Sequence, residues 1–90
     1  MSFTDERNRQ MTTVTVYSTP NCMQCKMTYR ELDRKGIEYK VVDLADETNA
    51  AARTWITEDL HYSSAPIVVD DNDDQNHWAG FRPDLISQLV

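Results

Sequence analysis

The sequence predicts an α/β domain with one four-stranded mixed sheet flanked by helices, in the order β-α-β-α-β-β-α. Three observations carry this. Residues 13–17 alternate and are β-branched, and a helix-length run separates them from a second strand-like run at 37–44. A further amphipathic helix follows, opening at Asp46 and Glu47. Two short apolar runs, 67–69 and 77–79, then bracket an acidic turn. With 90 residues there is room for a single domain. At this size about 60% of the unfolded surface can be hidden, which makes the core thin. A composition of 40% hydrophobic and 27% charged residues is that of a folded chain, not a disordered one.

Residues 1–10 are polar and aperiodic and are expected to be a flexible extension, with the domain running from 11 to 90. Ser18 to Asn21 reads as a turn, and Asn21 as the N-cap of a helix to Lys35 that Gly36 stops. The inward stripe of this helix would be Cys25, Tyr29 and Leu32, with an exposed Glu31–Lys35 pair. Strand, helix and strand within about thirty residues form a βαβ unit, so the first two strands should be parallel. In the second helix Ala52, Trp55, Ile56 and Leu60 share one face, and Trp55 reads as core. The segment from Asp70 to Asn76 reads as a turn. Pro83 suits the first turn of a last helix, with Leu85, Ile86 and Leu89 inward.

Nine basic residues against fifteen acidic ones give a net charge of −6. That balance argues against nucleic-acid binding through the phosphate backbone. No apolar run approaches the ~20 residues that cross a bilayer, so no membrane span is expected and the chain reads as cytoplasmic. The charge is uneven: residues 22–40 carry a local +2 and residues 41–90 a local −8. The one positive region holds both cysteines.

Cys22 and Cys25, the only cysteines, are spaced as Cys-Met-Gln-Cys. A staple closing so small a ring would remove only about 2 kcal/mol of unfolded-chain entropy, so reactivity explains the pair better than stability does. A closed zinc site needs four ligands, and His61 and His77 follow no ligand spacing; both read as surface residues. No metal site is expected. In the acidic turn, Asp70, Asn72 and Asp74 match the start of a calcium loop, but Gln75 and Phe81 stand where glycine and glutamate are required. A cysteine that follows a strand and opens a helix meets outward-pointing N–H groups and the positive end of the helix dipole, which favour thiolate; Lys26 adds to this. Cys22 is therefore expected to attack, and Cys25, one turn deeper, to resolve the mixed disulfide. Met23 and Gln24 are expected to tune the potential and to contact partners.

Three segments together resemble the NrdH-type glutaredoxin-like redoxins: Val16-Tyr-Ser-Thr-Pro-Asn-Cys-Met-Gln-Cys25, the Ala65-Pro66 step before Ile67-Val-Val69, and Trp78-Ala-Gly-Phe-Arg-Pro-Asp84. The last is the more diagnostic, with Ala79 where that family more usually has serine. The resemblance implies a thioredoxin/glutaredoxin-like fold and a dithiol-disulfide oxidoreductase with no cofactor of its own. It implies electron donation to the large subunit of class Ib ribonucleotide reductase. Re-reduction would come from thioredoxin reductase, so that NADPH is used only indirectly. It further implies that Pro66 is a cis-proline facing the cysteines and that backbone around Ala65 pairs with incoming substrate. Trp78, Arg82 and Asp84 would belong to a hydrogen-bonded network holding the carboxyl-terminal loop, and Phe81 to an apolar docking patch. A monomer is expected.

Two alternatives remain at this point. One is a glutaredoxin dependent on glutathione or mycothiol. Against it, Ser64-Ala65-Pro66 stands where those proteins place Thr-Val-Pro, and Ala79 to Arg82 replaces their Gly-Gly-Cys-Asp-like segment. The other is a module that binds metal through the cysteine pair.

Overall fold

The computed structural model describes residues 13–90. The extension expected over residues 1–10, and its boundary at Met11, lie outside the described residues. The elements are β1 (Thr13–Ser18), α1 (Met23–Lys35), β2 (Glu38–Asp43), α2 (Ala50–Thr54), β3 (Ile67–Asp70), β4 (Asp73–Ala79) and α3 (Pro83–Ser87). A 3-10 turn at Glu47–Asn49 leads into α2, and wider π-helical turns at Trp55–Asp59 continue it. The sheet order is β2-β1-β3-β4. β1 and β2 are parallel and the other neighbours antiparallel, as the βαβ reading requires. Among the described residues no helix is long and apolar enough to cross a membrane.

Strand periodicity divides the core into two layers. Val14, Val16, Val68 and Trp78 point to one face, where they meet Leu32 of α1, Ile37 and Ile86 of α3. Ile67 and Val69 point to the other, against Leu44, Ile56 and the half-buried Trp55, Leu60 and Tyr62. Trp55 is core as expected, and the Tyr17 ring meets it edge-on at 5.8 Å. The expected face of the second helix is therefore the one that packs.

Four local readings need correction. Asn21 is not the N-cap of α1; it takes a left-handed conformation (φ 59°), which asparagine tolerates, and Cys22 caps the helix. The fully buried stripe of α1 is Cys25, Thr28 and Leu32, with Tyr29 only half-buried and stacked on Tyr39 at 5.5 Å. Thr28 can be buried because its hydroxyl donates to the Gln24 carbonyl at 2.9 Å. Glu31 pairs with Arg34, not Lys35: the guanidinium reaches both carboxylate oxygens, at 3.2 and 2.6 Å. The acidic stretch is not one long turn, since β4 already starts at Asp73 opposite Asp70. The register then jumps to Val69 opposite His77, so residues 74–76 bulge outward and their polar side chains stay in water.

Polar clasps tie the ends of the elements. Asp71 accepts from the hydroxyls of Thr13 (3.0 Å) and Thr15 (2.7 Å), which satisfies the buried Thr15. Asp46 caps the turn before α2 by accepting from the Thr48 N–H at 3.0 Å and its hydroxyl at 2.8 Å. These bonds hold its carboxyl below the usual range. A folded-state value below the unfolded one means the stabilisation is complete above the unfolded value, about 3.9 for aspartate, and is lost as pH falls through the folded value. Urea midpoints should therefore decline as pH drops below about 4. Asp46→Asn should flatten part of that decline, and a variant with the wild-type slope would disprove the coupling.

Candidate active site

The sheet topology brings three sequence segments to one edge. Tyr17, near the end of β1, lies opposite Ile67, the start of β3, and Ile67 lies opposite Ala79, the end of β4. The cysteine loop after β1, the Ala65–Pro66 step before β3 and the Gly80–Arg82 loop after β4 therefore converge. Hydrogen bonds stitch them together: the Gly80 N–H donates to the Pro66 carbonyl at 2.8 Å, and the Phe81 N–H donates to Gln24 Oε1 at 3.1 Å. Gly80 has φ 90°, a left-handed value that favours glycine. The Ala65–Pro66 peptide is cis, and Pro66 is fully buried.

Cys22 and Cys25 are joined as a disulfide with their Cα atoms 5.2 Å apart. Cys22 has extended backbone at the N-cap of α1, and its Sγ accepts from the Cys25 N–H at 3.1 Å. The first turn of α1 carries no acidic residue to offset the positive end of the helix at that sulfur. Cys22 is half-buried, whereas Cys25 is only 1% exposed. An incoming disulfide can therefore reach the first sulfur and not the second. This arrangement suits a thiolate attack by Cys22, in which one substrate sulfur leaves and a mixed disulfide forms. Attack by Cys25 on the Cys22 sulfur then releases the second substrate thiol. Two electrons and two protons pass to the substrate, and the Cys22–Cys25 disulfide is what remains.

The other candidate residues divide between the site and the scaffold. Met23 projects into solvent beside the disulfide. The Gln24 side chain is a strut to Phe81, a role that its position between the cysteines did not reveal. Ala65 and Phe81 are half-buried at the same edge. Trp78 does not take part in the expected network: it is buried opposite Val68, and its Nε1 has no hydrogen-bond partner among the described residues. Its contribution is packing. Arg82 and Asp84 form a local bidentate clasp (3.1 and 2.9 Å) at the start of α3, which holds the Asp84 carboxyl below its usual range. His61 is exposed, as expected of a surface residue. His77 is half-buried, and its Nδ1 meets the Tyr62 hydroxyl at 2.8 Å.

A cavity of about 230 Å³ adjoins the cysteine loop and the cis-proline step, lined by Thr19, Leu44, Arg53, Ile56, Tyr62 and Ala65 among others. No sequence signal announced it, because its walls come from four separate segments. Arg53 holds one wall by donating to the carbonyls of Leu44 (2.8 Å) and Asp46 (3.2 Å).

The glutaredoxin family model matches residues 14–73, from the first strand past the cis-proline. The chain belongs to the glutaredoxin family. Within that family its relatives include several glutaredoxin-like NrdH proteins. It is 33% identical over 76 residues to the glutaredoxin-like protein NrdH of Salmonella typhimurium, covering 84% of this chain and 86% of that one. The gene 56 protein of Mycobacterium phage D29 is 37% identical over 79 residues, covering 88% of this chain and 83% of the relative. Among solved structures, the NrdH-redoxin of Escherichia coli, a glutaredoxin-like protein with a thioredoxin-like activity profile, superposes with a TM-score of 0.69. It shares 26% identity and is matched over 87% of this chain and 95% of its own. The thioredoxin fold, the NrdH-type glutaredoxin assignment and the disulfide oxidoreductase chemistry thus agree, and the redox group of this NrdH-type redoxin is its own cysteine pair.

Proposed function

We propose that this redoxin is the hydrogen donor of a class Ib ribonucleotide reductase, reducing a disulfide of its large subunit, and is itself re-reduced by an NADPH-dependent thioredoxin reductase. The observation that carries this reading is the closure of the carboxyl-terminal loop on the cysteine segment, with the Phe81 N–H on Gln24 and Arg82 clasped to Asp84. Asp84 is the one carboxylate of residues 78–90, and the clasp occupies it. A glutathione-type ligand would need a carboxylate in this loop to meet its amino group, and none is free to do so. The NrdH relatives, and the thioredoxin-like activity profile of the E. coli protein, support the same choice.

In this reading the protein works as a monomer in the cytoplasm, where both partners operate. Ala65 offers its backbone to the substrate segment, and Met23, Gln24, Pro66 and Phe81 border the contact. NADPH oxidation should proceed when the redoxin is mixed with thioredoxin reductase and oxidised ribonucleotide reductase. Glutathione with glutathione reductase should not sustain it. Turnover with glutathione and none with thioredoxin reductase would reverse the assignment in favour of a glutathione- or mycothiol-dependent glutaredoxin.

A further inference from the structure

The proposed reaction uses the sulfurs at the tip of α1, with Met23 beside them, but leaves the rest of the outward side of that helix without a role. On a helix, residues four apart lie one above the other, so Cys22, Lys26 and Arg30 line up, with Met23 and Met27 in a second row beside them. Both methionines are exposed, Met23 at 68% and Met27 at 37%, whereas the other large apolar side chains among the described residues are mostly packed. Lys26 and Arg30 are exposed too, and neither makes an ion pair among the described residues. The acids nearest in sequence or loop are already engaged. Glu31 is held by Arg34 and Asp84 by Arg82, while Asp33 faces the Tyr39 hydroxyl at 3.5 Å and makes no ion pair with Lys26 or Arg30 among the described residues. The strip therefore presents unneutralised positive charge on a molecule of net charge −6.

We propose that this face of α1 is a docking strip for an acidic segment of the partner polypeptide, seated on Met23 and Met27 and steered by Lys26 and Arg30. The inference rests on the reading of the protein as a reductant of protein disulfides, and it specifies the chemistry of the substrate. Charge complementarity selects the occupant: a basic or neutral segment gains nothing from the two cations, whereas an acidic one is drawn along the row that ends at Cys22. Flexible thioether side chains suit a segment whose apolar residues vary. From Cys22 to Arg30 the helix rises about 12 Å. An extended chain covers that in about four residues. The acidic residues of the partner thus fall within about four positions of its reacting cysteine.

The test uses the pre-reduced full chain and disulfide-bridged peptides that differ only in carrying Glu, Gln or Lys next to the reacting cysteine, with bis(2-hydroxyethyl) disulfide as an uncharged control. At ~10 mM salt, where the screening length is about 30 Å, the Glu peptide should be reduced about tenfold faster than the Lys peptide. The ratio should collapse toward unity at ~1 M salt, where screening acts within about 3 Å. Arg30→Glu, which leaves Lys26 facing a carboxylate, should erase the preference for the Glu peptide, and Arg30→Lys should preserve it. Equal rates for all peptides at low salt, or a ratio indifferent to Arg30→Glu, would overturn the strip. So would salt-sensitive self-association in sedimentation, which would assign the face to the acidic half of a second copy. Failure of the wild-type chain to reduce even the uncharged disulfide would instead sink the underlying reading of function, so the two failures are told apart.

Discussion

Cys22→Ser should abolish disulfide reduction, a loss of more than about a thousandfold, the scale seen when a covalent nucleophile is removed. Cys25→Ser should fail differently. Cys22 still carries the accessible sulfur at the N-cap of α1, so the first exchange proceeds. The buried resolving sulfur is then absent, and the substrate remains attached. Intact-mass measurement after mixing with a protein disulfide should show a one-to-one adduct on Cys25→Ser and none on Cys22→Ser. The reverse pattern would exchange the roles of the two cysteines. Full turnover of protein disulfides by Cys25→Ser would show a one-thiol chemistry and favour the glutaredoxin alternative.

Leu32→Ala should remove about 2–5 kcal/mol of stability, because the side chain is fully buried between the sheet and the outer helices. A domain of this size has roughly 5–13 kcal/mol in all, so the urea midpoint should fall by at least about a sixth. Val41→Ala, on the exposed side of β2, should stay within about 0.5 kcal/mol of wild type. Equal midpoints for the two variants would mean that the layer holding Leu32 is not the core described above.

The features readable in the sequence were those set by short-range rules. Alternation placed β1, Gly36 placed the end of α1, and the βαβ spacing gave the parallel pair. The cysteine spacing and the strand before it placed the reactive pair at a helix start. Readings failed where two residues satisfied the same rule or where contacts from afar decided. Asn21 is a better N-cap than cysteine by preference, yet the sulfur of Cys22 accepts the capping bond and Asn21 makes the turn. Arg34 and Lys35 are both neighbours of Glu31 on the helix, and the forked guanidinium makes the paired contact. The aspartates of 70–74 spoke against a strand, but β4 is an outer strand that can carry them into water. Gln24 gave no hint of its bond to Phe81, 57 residues away, because such a partner exists only once the sheet has brought both loops to one edge.

The two rims of the sheet differ in how they would receive a foreign strand. β4 has a broken register between Asp73 and His77, which makes it a poor template for pairing. β2 is six residues long, regular and carries an outward Val41. Any fibril-like stacking of misassembled chains would thus begin along β2, with Glu38, Lys40 and Asp43 as the charges that hold it off.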